Sequence, residues 1–260
     1  MTTHSQTMGS LDSLDAVATG RLRSAVGAHG PAVFTTSFGA EDMVVLDLIA
    51  RAGLDVQIVT LDTGRLHDET YQLMERARER YQRPIIAMAP DTRALEAFVA
   101  EQGINPFYRS IELRKRCCQI RKMEPLGRAL RGKGLWITGL RRDQSVTRAE
   151  LDVLARDDGH GLMKLNPIVE WTNDDVWAYV ERFDVPTNAL HARGFPSIGC
   201  APCTRAVEPG EDLRAGRWWW EQAETRECGL HMTPDGRLVR APKPAASDPM
   251  AELNANAVAG

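Results

Sequence analysis

Apolar residues recur at helical spacing from about Leu11 to Gly27, and the run Pro31-Ala-Val-Phe-Thr-Thr-Ser37 then predicts a buried strand entering a turn. A helix is expected from Asp42 to Ala52, a second strand over Val56-Gln-Ile-Val-Thr-Leu61, a charged amphipathic helix from His67 to Tyr81, and a third strand over Pro84-Ile-Ile-Ala-Met88. This β-α-β-α-β alternation implies a parallel sheet with right-handed crossovers. Helical signals return at Thr92 to Glu101 and Gln119 to Leu130, and Leu135-Trp-Ile-Thr138 predicts a fourth strand ending in Gly139. Two short β-prone pieces follow, Glu150 to Leu154 and Leu162 to Leu165. After Pro167 to Trp171, Thr172 or Asn173 supplies a start signal for a helix beginning at Asp174. Beyond Phe195 the periodicity fades into Gly, Pro and Cys, and Ala241 to Gly260 is poor in bulky residues, as in a mobile tail.

With 260 residues, 43% of them hydrophobic and 26% charged, the chain has the composition of an ordinary globular protein with one sizeable core. Met1 to Ser10 lacks the apolar centre of a signal peptide and no long apolar run occurs, so the expectation is a cytoplasmic protein without a membrane partner. The net charge of −3 argues against a general nucleic-acid or membrane binder. It is unevenly spread, for Arg109 to Arg142 holds eleven Lys or Arg against two Glu. Such a run is either a solvated basic helix face or one side of an anion pocket.

That basic stretch surrounds Cys117-Cys118, one of two clipped cysteine pairs; the other is Cys200-Ala-Pro-Cys203, and a fifth cysteine, Cys228, stands apart. Four plus one suggests a metal centre and a reactive thiol. Zinc favours ligands separated by two to four residues, so an adjacent pair suits it poorly. Disulfide frameworks belong mainly to small secreted chains. An iron-sulfur cluster needs four thiolates around a larger inorganic body and accepts distant pairs.

In an open parallel sheet, ligands sit beyond the carboxyl ends of the strands. Ser37-Phe-Gly-Ala-Glu-Asp42 offers a hydroxyl, a glycine and a helix start, which suits a phosphate but equally a plain strand-helix turn; it is not a Walker loop. Leu61-Asp62-Thr63-Gly64 either meets a nucleotide or simply closes a turn. Gly139-Leu-Arg-Arg-Asp-Gln-Ser-Val-Thr-Arg148 packs three arginines and two hydroxyls after a strand, a density suited to phosphate and sulfate oxygens.

Cys117-Cys-Gln-Ile-Arg-Lys122-Met-Glu-Pro-Leu126, the Gly-Leu-Arg-Arg-Asp-Gln-Ser loop, Cys200-Ala-Pro-Cys203, Arg214-Ala-Gly-Arg217-Trp-Trp-Trp-Glu221 and Glu227-Cys-Gly-Leu-His231, in this order, closely resemble assimilatory adenylyl-sulfate (APS) reductases over roughly residues 30 to 235. The resemblance implies an α/β, adenine nucleotide α-hydrolase-like (Rossmann-like) fold with a flexible C-terminal tail. It divides the chain into a nucleotide-binding reductase domain, 1–205, and a segment, 206–260, carrying the catalytic cysteine. The implied activity is reduction of adenosine 5′-phosphosulfate to sulfite and AMP at the expense of thioredoxin or a glutaredoxin-like reductant. Related 3′-phospho-APS (PAPS) reductases typically lack the two cysteine pairs, so their presence favours APS as substrate.

The same resemblance implies one [4Fe-4S] cluster on Cys117, Cys118, Cys200 and Cys203. Cys228, the cysteine left over, becomes the nucleophile, with His231 either holding its thiolate or serving structure alone. Lys122, Arg148, Arg214 and Arg217 are implied contacts of the phosphosulfate, and Ser37, Phe38, Gly39, Leu61, Asp62, Thr63, Gly64 and Gly139 of the nucleoside and α-phosphate. The loop from Gln144 to Arg148 is a residue shorter than in some relatives, which leaves Arg141 and Arg142 as rivals to Arg148. Lys122 follows Cys118 by four residues on an expected helix, so one ammonium would face both cluster and substrate. Trp218-Trp-Trp220 is expected to pack rather than to stack on bases, and a homo-oligomer is expected. Rival readings are a PAPS or dual-specificity reductase, an ATP pyrophosphatase-type RNA-thiolating protein, and a zinc-stapled nucleic-acid-binding module.

Overall fold

The computed structural model describes residues 3–144 and 148–221, with residues 3–9 as backbone only. Among these, six strands form one sheet: β1 (Ala32–Thr36), β2 (Val56–Leu61), β3 (Ile85–Met88), β4 (Leu135–Ile137), β5 (Leu154–Asp157) and β6 (Leu162–Leu165). Their order is β3-β2-β1-β4-β6-β5, parallel throughout except for the β5–β6 hairpin. The chain winds outward from β1 through β2 to β3 and then returns to lay β4 on the other side of β1. That reversal opens a crevice at the carboxyl ends of β1 and β4.

The α/β reading of the sequence is borne out, and the strand alternation explains why. Along β1, Phe34 packs in one buried cluster with Ile58, Leu135 and Ile137, while Val33 points the other way, to Val59 and Trp136. The first cluster is sealed by α1 (Thr3–His29), α2 (Ala40–Arg51) and α7 (Asn173–Arg182), through residues such as Leu22, Met43, Leu46 and Tyr179. On the second face Leu126 and Leu130 of α6 (Glu124–Leu130) cover Val33 and Trp136. Helices α3 (Asp68–Tyr81) and α4 (Thr92–Gln102) complete the crossovers. At the start of α7, Thr172 and Asp175 form a reciprocal capping box, the signal read at Thr172.

Two elements differ from expectation. The strand expected over Glu150 to Leu154 forms instead over Leu154–Asp157, because the turn to β6 fixes the hairpin register. There the Gly161 amide donates to the Asp157 carbonyl at 2.8 Å and the His160 amide to the Asp157 carboxylate at 3.0 Å. The helix expected from Gln119 begins earlier, as α5 (Ile111–Cys118), whose first turn is capped by the Ser110 hydroxyl accepting from the Leu113 amide at 3.2 Å. It then widens into a π-turn, Gln119–Met123, before α6. Pro125 has no amide to continue an α-helical ladder, and a wider turn just ahead of it absorbs the lost bond.

Candidate active site

A cavity of about 520 Å³ opens at the strand ends where β1 and β4 part. Its wall is made from all three strand-end loops, from the π-turn and from the irregular stretch after residue 190; it includes Ser37, Gly39, Leu61, Thr63, Lys122, Gly139, Arg148, Arg214 and Arg217. A volume of this size suits a mononucleotide-sized ligand.

The loop after β1 is not an open anion cradle. Asp42, in the first turn of α2, accepts from the Ser37 amide at 2.6 Å and from the Ser37 hydroxyl at 2.8 Å. Burial pushes the Asp42 carboxyl up to about 6, against these donors and the Gly139 amide, which hold it down. Gly139 has no alternative residue, since a Cβ there would collide with Asp42 Oδ1 and with the α2 backbone. Phe38, with φ of +60° and only 1% exposed, packs into the core instead of lining the cavity.

After β2, Asp62 Oδ1 accepts from the Gly64 amide at 2.9 Å and from the Tyr71 hydroxyl at 2.7 Å. Asp62 and Gly64 therefore close the turn behind the lining residues Leu61 and Thr63, and neither lines the cavity itself.

The three arginines after β4 are now distinguishable. Arg141 also lines the cavity, but it is 1% exposed and committed to Glu41 at 2.7 Å and to the Trp171 carbonyl at 3.0 Å. Arg142 donates from Nε to the Leu151 carbonyl at 2.8 Å, away from the cavity. Arg148 lines the cavity and donates to Gln144 Oε1, which in turn accepts from the Arg141 amide. Ser145, Val146 and Thr147 lie outside the described residues.

On the far wall Arg217 donates to the Ser197 hydroxyl at 3.3 Å and the Ile198 carbonyl at 3.2 Å, and its guanidinium carbon lies 4.8 Å over the Trp218 ring. Gly199 makes this fit possible, because any Cβ there would strike the guanidinium. Arg214 lines the same wall through the turn that follows Asp212.

Cys117, Cys118, Cys200 and Cys203 all line a second, much smaller cavity of about 20 Å³, together with Arg65, Phe107, Arg114, Arg121, Lys122, Pro202 and Trp218. Thr63 Oγ1 and Cys200 Sγ are 3.2 Å apart, and Arg121 donates to the Thr63 carbonyl at 2.6 Å, so the loop after β2 is tied to both cysteine pairs. Burial raises the Cys117 thiol, with Arg121 opposing. Cys203 is pushed up to about 12, by burial first and then by Cys200, with Lys122 and Arg217 opposing. Among the described residues no three His, Cys, Asp or Glu converge closely enough to grip a single ion; the thiols border a space rather than a point. Cys228 and His231 lie outside the described residues.

Lys122 and Cys200 line both cavities and so form their common wall. The spacing argument for Lys122 assumed an α-helix; the turn is π, and the residue reaches both sides all the same. Asp42, Arg114, Arg121 and Glu221 escaped the sequence reading. Arg114 and Arg121 flank the Cys117-Cys118 pair by a single helical turn, a signal that the basic run contained.

Residues 31–206 match the phosphoadenosine phosphosulfate reductase domain family. Adenosine 5′-phosphosulfate reductase of Burkholderia cepacia is 56% identical over 205 residues, which cover 79% of this chain and 82% of that one. The structure resembles phosphoadenylyl-sulfate (PAPS) reductase from Candida auris, solved as a phosphate complex, at 28% identity and a TM-score of 0.63, over 76% of this chain and 96% of the other. Yeast FAD synthetase shares the fold alone, at 18% identity and a TM-score of 0.52, over 77% of this chain and 68% of that one.

Proposed function

The chain belongs to the phosphoadenosine phosphosulfate reductase family, and from that premise we propose that it reduces adenosine 5′-phosphosulfate to sulfite and AMP in sulfate assimilation. The observation that carries this reading is the shared wall: a nucleotide-sized cavity with Lys122, Arg141, Arg148, Arg214 and Arg217 on its lining abuts a cavity bordered by four thiols, and Lys122 faces both.

Ser37, Leu61, Thr63 and Gly139 accommodate the nucleoside, while Lys122, Arg148, Arg214 and Arg217 neutralise phosphate and sulfate. Neutralising the bridging and α-phosphate oxygens makes AMP the better leaving group. The Cys228 thiolate attacks the sulfonate sulfur, the S–O bond to the phosphate breaks, and AMP departs with that electron pair. A thiolate of thioredoxin, or of a glutaredoxin-like dithiol, then attacks the Cys228 sulfur and expels sulfite. Its second thiol resolves the mixed disulfide, so both electrons come from the dithiol. His231, three residues after Cys228 in the sequence, either helps to hold the thiolate or serves structure alone.

The donor set around the small cavity fits one [4Fe-4S] cluster held by Cys117, Cys118, Cys200 and Cys203: four soft ligands, with no carboxylate or imidazole among the lining residues. When bound, the cluster supplies a fixed charged body beside Lys122. Thiols kept reduced for such a site suit the cytoplasm, and among the described residues no helix is long and apolar enough to cross a membrane.

The test compares turnover of APS and PAPS with thioredoxin as reductant, on protein assayed for iron. Sulfite release favouring APS by about 100-fold or more, on protein with about four irons per chain, is the expected result. Preference for PAPS, or zinc in place of iron, contradicts the reading.

A further inference from the structure

Glu221 stands seven positions before Cys228, so it sets the origin from which about 25 Å of chain at most can carry that thiol. Its carboxylate is buried at 3% exposure and grips Arg114 as a fork, Nε to Oε1 at 2.8 Å and Nη2 to Oε2 at 2.8 Å. Arg114 itself is 1% exposed, lies on α5 one turn before Cys117, and lines the cysteine cavity. Its guanidinium carbon sits 4.9 Å over the ring of Trp218. Trp218 is fully buried and lines the same cavity; its amide donates to the Cys203 carbonyl at 3.1 Å, and its carbonyl accepts from the Glu221 amide at 2.8 Å. Glu221 is thus tied to one cysteine pair through Arg114 and to the other through Trp218.

None of this touches the nucleotide cavity, since neither Arg114 nor Glu221 lines it. Two charges removed from water in this way add little net stability but impose one register, because only one alignment satisfies the fork. We propose that the Arg114–Glu221 fork is an anchor through which the cysteine site fixes the departure point of the Cys228 segment, with Arg114 and Glu221 as positioning residues for the thiol. The inference rests on the functional reading above. It gives the cysteine quartet a second task beside holding Lys122: presenting the nucleophile.

The variants are Glu221→Gln, which keeps shape but weakens the fork, and Arg114→Lys, which keeps the charge but loses the planar donor pair. Three quantities are measured on folded protein: tryptic cleavage after Arg226, between the anchor and Cys228; AMP affinity by calorimetry; and the rate of sulfonate transfer to Cys228 from APS without reductant. Cleavage at Arg226 is expected to rise at least about fivefold relative to other sites. Sulfonate transfer is expected to slow about tenfold with AMP affinity held within about twofold. Wild-type cleavage and transfer rates in both variants overturn the anchor, and so does an AMP affinity that falls in step with transfer. Absence of transfer in the wild-type protein contradicts the functional reading instead, and cleavage at Arg226 still decides the anchor.

Discussion

The nucleotide-sized cavity and the cysteine-lined one share a wall but are built in opposite ways. The first grows from strand ends, where a parallel sheet with a reversed winding order leaves a crevice whatever its side chains are. The strand-end part of its lining is local, with Ser37 and Gly39 just after β1, Thr63 just after β2, and Thr138 to Arg141 just after β4. The second depends on no sheet geometry. It gathers the end of α5, a π-turn, the loop after β2 and two irregular stretches around Cys200 and Trp218, and it packs them to near closure. The first is a fold property tuned by residues; the second exists only through specific pairings such as Arg114 with Glu221 and Thr63 with Cys200.

Breaking the shared wall should have the largest effect. Lys122→Ala removes the one side chain, besides Cys200, that lines both cavities among the described residues. A fall in kcat/KM of about 10²- to 10³-fold is expected, with AMP affinity changing far less; equal losses in both would reduce Lys122 to a ground-state binding residue.

A smaller effect, confined to the first cavity, is expected from Gly139→Ala. The added methyl collides with Asp42 and the α2 backbone, forcing the β1 and β4 ends apart. Thermal unfolding should report a loss of about 1–3 kcal/mol, and iron content should be unchanged. Loss of iron in this variant would show that the two cavities are less separable than their construction implies.

The smallest effect is a pH dependence. The Asp42 carboxyl lies at about 6 in the folded chain against 3.8 in its ordinary range, so between these values the folded state binds the extra proton. Asp42 therefore costs stability when ionised, and this cost is relieved as pH falls from about 6 towards 4. Asp42→Asn should flatten that part of the stability–pH curve; an unchanged slope would assign it to other groups.

Much of the first cavity was legible in the sequence, and rather little of the second. Alternating strands followed by Ser37, Leu61 and Gly139 announce strand-end loops, and the lining confirms that these loops face the crevice. What the loop strings could not reveal was division of labour within them: Asp62 and Gly64 close a turn, Phe38 fills the core, and Asp42 consumes the Ser37 amide. Periodicity could not find the π-turn, because its cause is Pro125, a residue later in the chain than its effect. Nor could it pair Arg114 with Glu221, since an ion pair spanning more than a hundred residues leaves no local pattern. The register of β5 failed for the opposite reason, a turn at Asp157 to Gly161 outweighing the β-propensity of Glu150 to Leu154.

The central claim is that the quartet supports a reaction performed elsewhere, on Cys228. It is tested most directly by incubating the iron-loaded protein with APS, without reductant, and weighing it before and after digestion. One added sulfonate group per chain is expected, on Cys228, with Cys117, Cys118, Cys200 and Cys203 unmodified, and no adduct in Cys228→Ser. An adduct on any of the four, or none on an iron-replete wild-type chain, would contradict it.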